Sequence, residues 1–257
     1  MLIIKIGGND IDDPPFLVRF TQAVVKLPDI PVIVHGGGKE IAALQTLLGL
    51  KPQFINGLRV TDEESLQVAQ MVLCGRINQR LVAAFEHAGG DAMGLSGADR
   101  GLLAARKLKI KNGDLGFVGL ITRVKATVLL ELTQQTIIPV VAPIAWSRTH
   151  AFNINADSCA CAIAKALMAD ELMFVTNVPG VMRDKLTIPS LTPKQAQTLI
   201  HKNIITGGML PKVRSAIKAV QSGVPKVRIT SLDGLGQNKG TIFTPDKTHV
   251  STDKELR

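Results

Sequence analysis

The sequence contains no tyrosine, a single tryptophan and three cysteines. An odd set of three thiols makes no disulfide framework. Cys159 and Cys161 stand two apart in a stretch that reads as helix, so they point in different directions. Both are expected to be small apolar filler in a reducing cytoplasm, not metal ligands. The histidines fall in no metal-ligand spacing: His87 and His201 read as helix-surface residues, and His35 as an ordering residue ahead of three glycines. No apolar run reaches the roughly 18 residues of a membrane span. Leu2-Ile3-Ile4 already reads as strand, so neither a signal peptide nor a membrane is expected. The sequence also lacks the G-x-x-x-x-G-K-[ST] run of P-loop enzymes and the G-x-G-x-x-G dinucleotide fingerprint. No Ser-His-Asp arrangement stands out. With aromatics this scarce and none interleaved with basic residues, nucleic acid is a poor partner despite the +9 net charge. The basic residues are spread along the chain, which suits anionic small substrates, with an acidic protein as the other partner of the right sign.

What the sequence does contain is alternation. Its 257 residues suit one large α/β domain or two joined lobes. Short apolar runs predict strands over 1–6, 31–34, 92–95, 136–142, 172–176 and 226–230. Amphipathic stretches predict helices over 15–26, 39–50, 63–87, 156–168, 193–202 and 210–222. Strands separated by helices imply an α/β fold: a three-layer αβα sandwich about a central, mainly parallel open sheet. The stretch 101–125 breaks that rhythm and reads as a hairpin turning at Lys111-Asn112-Gly113-Asp114. A new βα series begins near Leu172, so two lobes are expected, 1–171 and 172–257. The tail 245–257 is polar and expected to fray.

Three glycine clusters punctuate this pattern. Gly7-Gly8 follows the first strand, Gly36-Gly37-Gly38 follows the second and opens a helix, and Gly207-Gly208 opens the helix carrying Lys212. Ligands of an open α/β sheet bind beyond the carboxyl ends of its strands. Glycine there lets backbone N–H groups approach phosphate oxygens, and a helix N-terminus adds a favourable dipole. One glycine pair could serve turn sterics alone; clusters at two strand–helix junctions argue for a phosphate cradle. Lys5, inside an apolar strand, is costly unless it faces a ligand or a partner charge. Lys212 lies one turn into its helix, where a surface lysine is the ordinary alternative. Asn153-Ile154-Asn155-Ala156-Asp157 places Asp157 in a helix's first turn, with Asn155 as its N-cap. The same acid could orient lysines, and its flanking amides could hold a substrate amide. In Asn56-Gly57-Leu58-Arg59-Val60-Thr61-Asp62, Thr61 or Asp62 can cap the next helix, while Arg59 can fork onto a carboxylate.

Taken with Asp114-Leu115-Gly116-Phe117-Val118-Gly119 and Gly207-Gly208-Met209-Leu210-Pro211-Lys212, these segments run over nearly the whole chain in an order that resembles the amino-acid kinase family. Within it, they resemble its acetylglutamate kinase branch. The resemblance implies an N-terminal lobe for dimerisation and for N-acetyl-L-glutamate, and a C-terminal lobe for ATP. It implies transfer of the γ-phosphoryl to the side-chain carboxylate. Lys5 and Lys212 would neutralise the phosphoryl group in flight, Asp157 would orient both lysines, and Gly8, Gly37 and Gly38 would donate N–H groups. Arg59 would grip the α-carboxylate, and Asn153 and Asn155 would bind the acylated amino acid. Nucleotide contacts would fall to Lys5, Gly7, Gly8, Thr176, Asn177, Val178, Gly180, Gly208, Met209 and Lys212. Mg²⁺ would arrive with ATP, without protein side-chain ligands.

Two departures bear on that reading. Thr176-Asn177-Val178-Pro179-Gly180 stands where the family often has an acidic residue, which leaves the ribose and metal contacts open. The chain also starts at its first strand, whereas arginine-regulated hexameric relatives carry an extra helix; a cytoplasmic homodimer without arginine feedback is expected. Rival readings are a related kinase acting on an aminoadipate or glutamate held by a small acidic carrier protein, a carbamate or aspartate kinase, and a nucleotide-binding regulator that has lost the chemistry. Asn56-Gly57-Leu58-Arg59 and Asp114-Leu115-Gly116-Phe117 favour the free acylated glutamate. Lys5, Lys212 and Asp157 are all present, against loss of chemistry.

Overall fold

A computed structural model of the chain describes residues 1–55, 57–111, 113–237 and 239–246. The motif residue Asn56, the turn residue Asn112 and the tail beyond 246 lie outside the described residues. Among the described residues the centre is an eight-stranded sheet. From edge to edge it runs Ser190–Leu191, Thr241–Phe243, Val227–Ser231, Glu171–Thr176, Leu2–Ile6, Val32–His35, Ile138–Val141 and Ala92–Leu95. Six of these strands are parallel; Thr241–Phe243 runs antiparallel to Val227–Ser231 and carries Ser190–Leu191 with it.

The near-continuous apolar strands are explained by burial on both faces. Side chains alternate across a strand. Ile3, Val32, Val34, Leu172 and Phe174 therefore pack into one core, and Ile4, Ile6, Ile33, Met173 and Val175 into the other. Each fully buried Ile contributes about 1.5–3 kcal/mol by leaving water. Helices α1 (Gly8–Ile11), α2 (Pro14–Val24), α3 (Gly38–Leu47), α4 (Glu63–Gln70) and α5 (Asn78–His87) precede the hairpin; α6 (Ala126–Gln134), α7 (Ala156–Ala166), α8 (Pro193–His201) and α9 (Met209–Gln221) follow it. Helices α2, α4 and α5 cover the Ile4 face, whereas α7, α8 and α9 cover the Ile3 face. This is the expected three-layer arrangement. The sheet is continuous across residue 172, since Leu2–Ile6 pairs with Glu171–Thr176 along five residues.

Three features depart from the sequence expectation. The helix expected over 63–87 is divided, with Met71–Ile77 wound as a π-helix between α4 and α5. Wide turns of this kind often mark functional sites. The hairpin is present as antiparallel strands Leu103–Lys107 and Gly119–Val124, and the turn expected at 111–114 includes Asn112, which lies outside the described residues. These strands extend through Ile144–Trp146 and Ala151–Asn153 into a second, four-stranded sheet. A small hairpin, Phe54–Ile55 with Leu58–Arg59, was not expected at all. No helix of the described residues is long and apolar enough to cross a membrane.

Candidate active site

Lys5 shares the Ile3 side of the first strand, two residues along, and α7 covers that side. Its Nζ lies 2.7 Å from Asp157 Oδ1, both side chains being largely buried. The cost of a lysine in an apolar strand is thus offset by a partner charge. Asn155 caps α7 as expected: its Oδ1 accepts from Ser158 N at 3.0 Å. That uses the oxygen of Asn155 and leaves its NH₂ as the group available to a ligand.

The first two glycine clusters meet beside this pair. A Cβ on Gly8 would lie 2.8 Å from both the Cα and the N of Gly37, so the two turns approach too closely for any side chain. Gly36 N donates to Ile6 O at 3.1 Å, tying the second turn to the end of the first strand. From behind, a Cβ on Gly37 would strike Ile77 Cδ1 and Leu73 Cδ2 at 2.4 and 2.7 Å. Both belong to the π-helical segment, which therefore backs the cradle directly.

His35 orders this turn from below. Asn78 Nδ2 donates to Val140 O at 2.9 Å and faces His35 Nε2 at 3.2 Å, and His35 Nδ1 lies 3.1 Å from Gly36 O. The amide donor requires a bare Nε2, which puts the ring proton on Nδ1, where it donates to Gly36. Complete burial pushes the imidazole pKa down to about 4, so the ring is neutral. It serves as an ordering residue, as the sequence indicated.

Lys212 is less constrained than expected. It stands in α9, whose N-cap is Gly208, and its Nζ donates to Gly208 O at 3.4 Å; Asp157 orients Lys5 but makes no such contact with Lys212. Both lysines act at longer range on a residue that sequence reasoning missed, Asp10 of α1. Burial raises the Asp10 pKa, while the charges of Lys5 and then Lys212 pull it back. Its Oδ2 would lie 2.8 Å from a Cβ on Gly7. An acidic residue two positions beyond Gly-Gly was the available signal.

Three motif segments far apart in sequence join into one platform. Thr61 N donates to Leu115 O at 3.0 Å, Phe117 N to Thr61 O at 2.6 Å, and Asn153 N to Phe117 O at 2.9 Å. Asn153 Nδ2 donates to Thr61 Oγ1 at 3.2 Å. Of the two cap candidates, Asp62 is the one used, accepting from Ser65 N at 2.8 Å. Arg59 lies beside this platform. Its Nη2 donates to Gly38 O at 2.9 Å and its Nη1 to Gln45 Oε1 at 2.5 Å; its guanidinium carbon sits 4.8 Å from the Phe54 ring centroid. Every one of these partners is neutral, so the charge is not compensated. Burial lowers the Arg59 pKa, because the charged guanidinium is partly removed from water.

Thr176 ends the strand beside Leu2–Ile6, is buried, and donates from Oγ1 to Asn177 Oδ1 at 3.2 Å. Asn177, Val178 and Gly180 follow it at the same carboxyl end of the sheet. Among the described residues no group of three or more His, Cys, Asp or Glu side chains could hold a metal ion. Buried Cys159 and Cys161 have their thiol pKa values pushed up by desolvation, so they are inert filler.

A family model described as "Amino acid kinase family" matches residues 1–231. This chain belongs to the amino acid kinase family. An acetylglutamate kinase of Roseiflexus castenholzii is 48% identical to it over 248 residues, covering 96% of each chain. A solved structure from Streptococcus mutans UA159 is 34% identical with a TM-score of 0.81, over 95% of this chain and 98% of that one. Carbamate kinase from Giardia lamblia bound to citric acid superposes with a TM-score of 0.70 over 95% of this chain and 98% of its own, at 16% identity, and so shares the fold. The family and these relatives make the chain a kinase that phosphorylates a carboxyl group.

Proposed function

We propose that this amino acid kinase is an acetylglutamate kinase, transferring the γ-phosphoryl of ATP to the γ-carboxylate of N-acetyl-L-glutamate. The observation that carries the substrate assignment is the uncompensated Arg59 cation beside Gly38. It offers an anion site next to the glycine cradle, as an amino acid with two carboxylates requires. The family relationship and the near full-length likeness to a protein of that name support it.

The reacting carboxylate is already ionised at pH 7, so no general base is needed and catalysis rests on positioning and charge. Asp157 holds Lys5 at the end of the first strand, from which its ammonium meets the transferring phosphoryl group. Lys212, lightly tethered, swings from Gly208 to the same oxygens. Backbone N–H groups of Gly8, Gly37 and Gly38 cradle the phosphoryl and its acceptor. Arg59 takes the α-carboxylate, and Asn153 and the Asn155 NH₂ take the acylamino group. Residues Gly7, Thr176, Asn177, Val178, Gly180, Gly208 and Met209 frame the nucleotide. Mg²⁺ would accompany ATP and offset the charge of its phosphates, and no side chain is assigned to it. In this reading 1–171 is the amino-acid lobe, 172–257 the nucleotide lobe, and the enzyme a cytoplasmic homodimer.

The test is ADP release with ATP and a panel of acceptors: free N-acetylglutamate, N-acetyl-2-aminoadipate, and each amino acid linked to an acidic carrier protein. Turnover is expected with free N-acetylglutamate. Turnover confined to a carrier-linked acceptor would overturn the assignment.

A further inference from the structure

The grip of Arg59 depends on a residue that no motif contains. Gln45 stands in α3 with 1% of its surface exposed. Its Oε1 accepts from Arg59 Nη1 at 2.5 Å, and its Nε2 donates to Ser65 Oγ at 2.7 Å. A guanidinium can only donate, so the amide oxygen must face Arg59 and the amide NH₂ must face the serine. Ser65 is itself fixed in the first turn of α4, where its N–H bonds to Asp62 Oδ1 at 2.8 Å. Both ends of the buried amide are satisfied, and its orientation is locked.

Two consequences follow from the chemistry of this anchor. A neutral amide orients the guanidinium without neutralising it, leaving the full charge for a ligand; a carboxylate at position 45 would consume that charge. The second consequence is geometric. Gln45 and Gly38 both hold Arg59 and both belong to α3, whose first turn is the Gly37-Gly38 cradle. One rigid helix therefore sets the separation between the cation and the backbone N–H groups.

We infer that Gln45 is a positioning and specificity residue: it locks Arg59 to the helix that cradles the reacting carboxylate, and so sets the chain length of acylated diacid that can bridge the two. A shorter diacid falls short of one end, and a longer one buckles. This rests on Arg59 being the α-carboxylate clamp, so the test separates the two ideas.

Measure kcat/KM with N-acetylaspartate, N-acetylglutamate, N-acetyl-2-aminoadipate and the α-carboxamide of N-acetylglutamate, for wild type, Gln45→Met, Gln45→Glu and Ser65→Ala. Wild type is expected to prefer the free α-carboxylate over the carboxamide by 100-fold or more; no preference would sink the clamp. With the clamp standing, Gln45→Met is expected to reduce both the carboxylate preference and the chain-length preference tenfold or more. Gln45→Glu should keep chain-length order but weaken binding of every α-carboxylate acceptor, because its charge pairs with Arg59. Ser65→Ala loosens the amide without emptying the site, and a severalfold loss in the Gln45→Met direction is expected. Preferences that stay at wild-type ratios in every variant that folds would overturn the role of Gln45 while leaving the clamp in place.

Discussion

Lys5 Nζ and Asp157 Oδ1 stand 2.7 Å apart, joining the end of the first strand to the first turn of α7, with about one-eighth of each side chain exposed. A pair this enclosed depends on both members, because removing one strands a charge. Asp157→Asn should cut kcat by two or more decades and lower stability by on the order of 3 kcal/mol, the low end for a buried pair that keeps some exposure. Steady-state kinetics together with urea unfolding check both. Retained kcat with lost stability would make the pair a structural feature only.

Lys212 presents the opposite case. Among the described residues its tether is the 3.4 Å bond to Gly208 O, at a partly exposed site. Lys212→Ala should therefore leave unfolding unchanged and still reduce kcat by two or more decades, with a smaller effect on KM, since its contribution is made in the transition state. A near-normal kcat would remove Lys212 from the chemistry.

How much of this was legible in the chain follows from how local each signal is. The six parallel strands and most helices carry their own periodicity, so runs such as Leu2–Ile6 and caps such as Asn155 could be read without a partner. Edge strands of two residues, such as Ser190–Leu191, are too short to show any period. The π-helical Met71–Ile77 keeps the apolar content of an α-helix and differs only in its winding, a difference that the packing of Leu73 and Ile77 on Gly37 gives a role. Of the site residues that escaped, Gln45 and Ser65 make a pairing that only the folded chain brings about, and Asp10 feels the charges of Lys5 and Lys212 only there. Glutamine inside an amphipathic helix is ordinary in sequence; its near-total burial is what sets it apart.

Asp10 shares the field of both lysines. Burial is the largest influence on its carboxyl and raises the pKa, with Lys5 and Lys212 opposing. When ionised it competes with phosphate for those two cations. Asp10→Asn, which removes that charge, should lower the KM for ATP severalfold. Nucleotide binding by both proteins at pH 8 checks this; an unchanged KM would exclude the competition.

Arg59 is held by Gln45, Gly38 O and Phe54 before any ligand arrives. Preorganisation of this kind makes its contribution a binding one. Arg59→Ala should raise the KM for the amino-acid substrate by about 10- to 100-fold, the worth of a charge-assisted hydrogen bond of ~1.5–3 kcal/mol, and change kcat less. An unchanged KM would move the carboxylate grip elsewhere.

His35 should make the fold acid-sensitive. Its pKa falls from 6.5 to about 4 on burial, between Asn78 and Gly36 O. The unfolded chain therefore takes up a proton at this residue before the folded one does. The stabilisation from keeping the ring neutral is present in full above pH 6.5 and drains away as pH falls through the interval down to about 4. Between pH 7 and 4.5 that amounts to about 2 kcal/mol. His35→Asn, which cannot titrate, should be less stable than wild type at pH 7 and should lose about 2 kcal/mol less on acidification. Urea unfolding of both proteins at the two pH values gives the difference directly. Parallel losses would mean that the imidazole keeps its ordinary affinity for a proton, and that Gly36 is held in place by the strand alone.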